Sequence, residues 1–465
     1  MDPASLALGV VGVIDICFKY GKKLLRSLRS FCDNLDYPLL VIYHDALTRL
    51  GAKLAKASES FQVIQAKAGV SFHVQRKVKA VYLKRELART VEEFEQWQRR
   101  FDPSWYLITR IANPDIDVQL RDVRPGQQPG VSASAKSPSP TMRLAQMRAS
   151  IKQISSQGAD QSGSVFKNAA FLSDEMVRVE GTDAYVTKYK SGNASPSPTT
   201  ARRVLLDPAN LLGLNQVSTT TAKQNIRDLA RLLQHIDLLT FHLLRCEGVV
   251  ELPTLQGNQF YLLFEIPKSL QQSTPKTLRC FLSEIPKAKK CSLTLRVQSS
   301  KQLARSVIAE GRTDKFGDLD WAKNLYRHPL RQGLYPEEIF EMRHDIYSLG
   351  VCLLEIALWE SFVCVDHKGN STPWSGLEIS SALVEKDQRR GAFRIKDRLV
   401  ELCKTQLPAL IGERYTAVVV ACLCCLDESK DNVFWDETSL QDRDGIVVGV
   451  RYIDNVLLKL EELVI

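Results

Sequence analysis

The sequence predicts an α+β protein: an all-α helical bundle over residues 1–121, a flexible linker over 122–164, and a two-lobed α+β domain over 165–465. Three observations predict it. Apolar residues recur at helical spacing through the first hundred residues with no competing strand signal. From Asp122 onward the composition collapses into Pro, Gly, Ser and Gln, leaving little that a core can bury. Beyond that break, strand-like runs flank a single helical segment and are followed by a mostly helical body, the segregated order of an α+β fold.

In the first segment the helical stripe runs through Leu39, Ile42, Tyr43, Ala46, Leu47, Leu50 and Leu54, and again through Val78, Val81, Tyr82, Leu87, Val91, Phe94 and Trp97. Gly51, Gly69 and the Asp36-Tyr37-Pro38 step divide it into three or four helices, as short connections in a bundle would. The opening stretch Leu6 to Ile14 is too short to span a bilayer, and no run of about eighteen apolar residues occurs elsewhere. Asp2 stands where a signal peptide carries positive charge, so a secretory leader is not expected. The eleven cysteines are scattered, odd in number and without paired Cys-x-x-Cys spacing, which indicates neither a disulfide framework nor a zinc ribbon and suits a reducing cytoplasm.

The net charge of +9 is uneven. Residues 1–125 hold 20 Lys/Arg against 14 Asp/Glu, residues 126–165 hold 4 against 1, and the remainder is neutral. Lys19, Lys22, Lys23, Arg26 and Arg29 lie beside Leu24, Leu25, Leu28 and Phe31, a basic amphipathic helix. Either it contacts anionic membrane, or it is a packed bundle helix with a solvated charged face. Nucleic acid is not expected as a partner, because aromatic residues do not interleave the basic ones. Ser137 and Ser139, and again Ser195 and Ser197, precede prolines in two flexible stretches. They are candidate phosphorylation sites, the competing reading being a low-complexity loop.

In the α+β domain, strands are expected within 171–190 and 241–266, with a helix over Asn225 to Leu239 between them. From Leu293 the pattern is mostly helical, with loops around 308–342 and 365–376. Cys422, Cys424 and Cys425 fall in an apolar helical run and read as core packing rather than a metal site.

Several stretches carry a family resemblance. Leu6 to Gly12 with Asp15 to Lys22, Phe101-Asp102-Pro103-Ser104-Trp105-Tyr106-Leu107-Ile108, Asn324 to Gly333, and Arg343 to Ile356 together resemble a fungal family that joins a HeLo-like (prion-inhibition and propagation) helical domain to a protein-kinase-like domain. The resemblance covers most of the chain and implies lobes of about 165–267 and 268–465. It also implies signalling, with links to fungal non-self recognition, heterokaryon incompatibility and regulated cell death. Asp345, Gly350 and Pro329 then belong to the structural signature of the kinase scaffold.

Phosphoryl transfer needs a glycine-rich cradle, a lysine held by a helix carboxylate, a catalytic Asp, and Asp/Asn ligands for Mg²⁺. Only Gly181 lies near the first strands, so no cradle is present. Lys190 or Lys188 is the candidate lysine of the third strand, the other reading being a surface lysine on an edge strand. No Glu occurs between Ser191 and Cys246; Asp207, Asp228 and Asp237 are the carboxylates available, with Asp228 the best placed on the helix. Lys190, Lys188 and Asp228 thus form a degenerate nucleotide site.

Between Leu303-Ala304-Arg305-Ser306-Val307 and Gly317-Asp318-Leu319-Asp320-Trp321 only residues 308–316 remain, against the roughly twenty-five that a catalytic loop and Mg²⁺ loop require. His344-Asp345 and Lys315-Phe316-Gly317 imitate parts of those loops. The Asn expected five residues after Asp345 is Gly350, and Lys315 stands where the metal-binding Asp belongs. The expectation is a pseudokinase with no catalytic residue, no metal and no cofactor, regulating the helical bundle and engaging other signalling proteins. ATP and Mg²⁺ would enter only if the native protein carries the missing loop. The alternatives are an active ATP-dependent Ser/Thr kinase family member whose catalytic exon is missing from this sequence, and a membrane-binding helical protein with a structural C-terminal half.

Overall fold

In a computed structural model the described residues are 165–190, 201–209, 219–234, 241–254, 257–284, 291–307, 319–334, 336–338, 340–366, 370–430, 432–435 and 446–463. They form a mixed α+β arrangement. All lie in the second of two compact units into which the chain divides. The bundle expected over 1–121, the linker over 122–164, the basic helix with Lys19, Lys22, Lys23, Arg26 and Arg29, the serines 137, 139, 195 and 197, and the gap at 308–316 fall outside the described residues.

Six strands make one sheet: β1 (Phe166–Lys167), β2 (Val177–Arg178), β3 (Tyr185–Lys190), β4 (Ala201–Pro208), β5 (Cys246–Thr254) and β6 (Gly257–Glu265), in the order β1-β5-β6-β4-β3-β2. Only β1 pairs in parallel, with β5; every other neighbour is antiparallel. That parallel join depends on Gly248. Its φ is +153°, a register shift in β5 falls beside it, and a Cβ there would lie 2.3 Å from the Val165 carbonyl oxygen. Val249 can therefore donate its N–H to that oxygen at 3.0 Å.

The sequence reading missed β4. Its run Ala-Arg-Arg-Val-Leu-Leu-Asp-Pro begins with two arginines and ends in a proline, which hides the alternation, yet Val204 and Leu206 are fully buried at the centre of the sheet. Burial on one face turns a weak local pattern into a strand.

Helix α1 (Thr219–Gln234) begins six residues before the expected Asn225 and packs on β5 through Ile226, Ala230 and Leu233. These positions are four and three apart and so share one side of the helix.

The helical body contains α2 (Leu278–Glu284), α3 (Leu293–Val307), α4 (Trp321–Asn324), α5 (Met342–Leu358), α6 (Ser380–Leu383), α7 (Gln388–Ile411), α8 (Glu413–Leu423), α9 (Ile446–Tyr452) and α10 (Leu458–Glu461). A π-helical turn, Ile453–Leu457, joins the last two. Where a loop was expected at 365–376, β7 (Val363–Val365) and β8 (Ser371–Pro373) make a small hairpin instead. Its turn is closed by Asp366, whose carboxylate accepts the Asn370 N–H at 2.8 Å.

Helix α5 is apolar nearly all round and sits at the centre, packed against α3, α7 and α8. It ends at Trp359, which takes a left-handed conformation (φ +57°) and buries its ring against Phe281 and Arg296. Among the described residues no helix is long and apolar enough to cross a membrane.

Candidate functional site: the helix-side face of the sheet

Residues paired across antiparallel strands share a face, and each strand alternates faces residue by residue. Lys223 of α1 bridges Glu251 of β5 at 3.1 Å and lies over the Phe260 ring of β6 at 5.5 Å. Glu251 and Phe260 are register partners, so they mark the face that α1 covers. Following the register, the same face carries Leu262 with Asp207, Phe264 with Leu205, Arg203 with Lys188, and Val186. The opposite face carries Tyr189, Val204, Leu206, Tyr261 and Leu263, closed by Leu172 and Ala169 from the segment before β2. On that far face Arg202 is held between Glu247 and Glu265.

Lys188 and Lys190 do lie on the helix-side face, but on β3, with β4 and β6 between their strand and β5. Both are exposed, and the carboxylate nearest Lys188 is Glu175 at 3.8 Å. Asp228 accepts from the Gln224 amide on its own helix at 3.2 Å. Lys188, Lys190 and Asp228 are thus not brought together. A helix-to-sheet ion pair among the described residues runs the other way, with the lysine, Lys223, on the helix and the glutamate, Glu251, on the strand.

The strand that leads into α1 is β4, and it contains no lysine. Asp207, grouped from sequence with the carboxylates available to the helix, is on this strand. Its carboxylate is open to solvent but surrounded by enough protein that desolvation raises its pKa above the ordinary value. Among the described residues it has neither a hydrogen bond nor an ion pair. Arg203, four residues earlier on the same face, is fixed elsewhere: its guanidinium donates to the carbonyls of Gln271 and Ser273 at 2.6 and 3.1 Å. The Gln271 side chain completes this strap. It accepts the Arg203 N–H at 2.8 Å and donates to the carbonyls of Arg203 and Ile266 at 3.1 and 2.6 Å.

The predicted scaffold residues lie in the helical body. Pro329 opens a short 3-10 turn, where His328 Nδ1 accepts the Leu330 N–H at 3.4 Å. Asp345 is half-buried in the first turn of α5. Gly350 faces α8 so closely that a Cβ would lie 2.9 Å from the Cβ of Cys422 and 3.1 Å from the Leu423 nitrogen. Tyr326 donates its hydroxyl to buried Glu355 at 2.8 Å, and the Phe362 N–H donates to the same oxygen at 2.6 Å. Burial raises the Glu355 pKa, which those two donors partly offset. These contacts tie the segment before α5 to the helix itself.

Cys422 and Cys425 are fully buried, and desolvation pushes both thiols upward, so they stay protonated. No group of three or more His, Cys, Asp or Glu side chains that could hold a metal ion occurs among the described residues.

Compared with known proteins, the chain matches no family profile and no curated sequence.

Proposed function

We propose that residues 165–465 are a protein-kinase-like module that recognises or scaffolds signalling proteins without transferring phosphate, and that regulates the helical region over residues 1–121. The observation that carries this reading is on β4 and α1. Phosphoryl transfer in protein kinases relies on a lysine from the third strand of the small lobe paired to a glutamate of the helix that follows. Here the strand feeding the helix carries Asp207 and no lysine, and α1 carries Asp228 as its only carboxylate. Helix α1 between strands of one antiparallel-rich sheet, followed by a helical body around α5, is the order that the reading requires.

ATP and Mg²⁺ do not fit the residues present. On this reading the strand that would supply the phosphate-binding lysine carries Asp207 instead, and Arg203, the other ionisable residue on that face of β4, is committed to backbone carbonyls. The reading places the protein in the cytoplasm, with Lys19, Lys22, Lys23, Arg26 and Arg29 as its contact with anionic membrane. The setting is the one the family resemblance implies, non-self recognition and regulated cell death in fungi.

The test is a thermal-shift titration of the full chain with ATP, with and without Mg²⁺. A bound ligand at a hundred times its Kd stabilises by about 2.7 kcal/mol, so binding would move the melting temperature visibly. The expected result is no shift in either condition. Mg²⁺-dependent stabilisation by ATP, or phosphate transfer to a protein substrate, overturns the proposal.

A further inference from the structure

The first strand of the sheet is lightly held. β1 pairs with β5 at two register positions, Phe166 with Val249 and Lys167 with Val250, against eight between β5 and β6. The pairing is parallel, which is slightly less stable per residue than antiparallel pairing. One further bond comes from the Val165 carbonyl, which accepts the Val249 N–H at 3.0 Å. The residues that follow are anchored more firmly. Leu172 bridges to Tyr189, and Ser173 donates its N–H to the Lys188 carbonyl at 2.9 Å. The buried Thr187 hydroxyl shares its proton between the carbonyls of Ser173 and Glu175 at 3.1 and 3.0 Å. Residues 165–175 are thus a strap with a firm end on β3 and a light end on β5.

The light end reaches α1. The Phe166 ring meets Phe260 edge to face, with centroids 6.3 Å apart. Arg227 of α1 lies over the Phe166 ring at 5.7 Å, as Lys223 lies over Phe260 at 5.5 Å. Two cations one turn apart on the helix therefore rest on two rings in contact, at distances where a ring's quadrupole attracts a cation. Strand β5 supplies the other polar ties of α1, through Glu251 to Lys223 and through the Glu247 carbonyl, which accepts from the Gln234 amide at 3.0 Å. The seat of Arg227, by contrast, is supplied by the strap.

We propose that residues 165–167 are a releasable strap that couples the chain before residue 165 to the seating of α1 on the sheet. Engaged, the strap puts a ring under Arg227. Withdrawn, it takes that ring away while residues 172–175 stay fixed to β3. A pull on the preceding chain thereby reaches α1 through Phe166. The proposal rests on the reading of residues 165–465 as a module that regulates residues 1–121, and it names the contact that carries the regulation. Coupling between two places is reciprocal, so α1 and the preceding region must both report the state of the strap.

The test is hydrogen–deuterium exchange of the full chain, without nucleotide, in the unsubstituted protein, Phe166→Leu, Phe166→Trp and Gly248→Ala. Phe166→Leu keeps an apolar side chain without the ring, and Phe166→Trp keeps an aromatic face. Gly248→Ala places a Cβ 2.3 Å from the Val165 carbonyl oxygen and so pushes the strap off the edge. In Phe166→Leu and Gly248→Ala the amides of α1 and of Val249 are expected to exchange at least about tenfold faster with α5 unchanged, as in an opening of one part of the molecule. Exchange in residues 1–121 is expected to change by at least about threefold in the same variants, and Phe166→Trp to stay near the unsubstituted protein in both regions. The Phe166 variants decide the matter even if Gly248→Ala does not fold. Exchange in α1 that is unchanged, or accelerated no more than in α5, overturns the strap as the holder of α1. Acceleration in α1 with residues 1–121 unaffected overturns the coupling. Mg²⁺-ATP binding would instead overturn the function proposed above, and because the exchange is read without nucleotide the two failures are told apart.

Discussion

Gly350 marks a close approach between two helices of the body. The backbone of α5 passes α8 so closely that a methyl group would meet Cys422 and the Leu423 backbone, neither of them a flexible side-chain end. Gly350→Ala gains helix propensity of about 1 kcal/mol but forces the two helices apart, and overpacking of this kind costs about 1–3 kcal/mol. The expected net result is destabilisation by up to about 2 kcal/mol, read as a lower urea midpoint with an unchanged m-value.

A few residues away, His328 and His344 are nearly inaccessible and surrounded by Tyr347, Phe340 and Phe393. Burial first, then Lys396, His344 and Arg343, holds His328 down to about 3; burial and Arg331 hold His344 down to about 4. Glu338 accepts from His344 Nε2 at 3.1 Å but is itself raised by burial. Near neutral pH both rings are unprotonated, folded or unfolded, so the native state suffers no penalty. As pH falls below about 6.5 the unfolded chain takes up protons that the folded chain refuses, and stability declines until the folded pKa values are reached. Each ring contributes a slope of about 1.4 kcal/mol per pH unit in that window. His344→Gln should therefore flatten the difference in stability between pH 6 and pH 4.5 by about that slope, as measured by urea denaturation. Parallel curves for the two proteins would show that His344 is not held neutral.

At the scale of elements, the C-terminal helical run is pinned to the end of α3 by polar contacts. Tyr452 donates to the Ala304 carbonyl at 2.6 Å, and Arg305 bonds Glu461 through Nε and Nη2 at 3.0 and 2.7 Å. Lys301 caps the carbonyls of Glu461 and Leu463 at 3.2 and 3.0 Å. Between Tyr452 and Glu461 the π-helical turn Ile453–Leu457 inserts an extra residue per hydrogen-bonded loop, shifting the helical phase. Both contact residues reach α3 from the same run.

The Arg305 side chain is only 9% exposed, whereas Glu461 is 23% exposed. Removing the glutamate leaves a buried charge without its partner, although solvent screens part of the effect. Glu461→Ala should destabilise by about 1–3 kcal/mol and speed amide exchange in the last turn of α3 and in α10 more than in the sheet. Uniform acceleration would show that the contact holds no particular element.

At the scale of the whole molecule, the described cysteines range from fully buried to exposed. Cys246, Cys403, Cys422 and Cys425 are buried and Cys364 is exposed. Desolvation lifts Cys246 and Cys403 to about 12, and no described cysteine is in a disulfide. Since the thiolate is the reactive form, the four buried thiols should react with a thiol reagent only after unfolding. Cys364→Ser should remove one rapidly labelled thiol from the native protein. Rapid native labelling of Cys422 would mean that α8 opens to solvent.

Much of this molecule was legible in the chain because the signals were local and repeated. The apolar periodicity of α5 and α8, the β-branched and aromatic runs of β3 and β6, and the helix between them need only neighbours in sequence. Cys422 of α8 and Cys425 just beyond it were readable as core for the same reason, whereas Cys424 at the helix end is only half-buried. Strand β4 was not, since its two arginines and terminal proline mask an alternation that only burial of Val204 and Leu206 between neighbouring strands makes decisive. The β7–β8 hairpin was read as loop because three-residue strands carry too little pattern.

The site was the least legible part. Sequence named Lys188, Lys190 and Asp228 by residue type, but register and strand order decide which face and which strand a side chain occupies. Those depend on hydrogen bonds between segments up to sixty residues apart. The sequence by itself determined the α+β class of the described residues, their helical core and the absence of a helix glutamate. Only the tertiary structure decided that Asp207 stands unpaired on the helix-side face, because facing is a property of the assembled sheet rather than of any one strand.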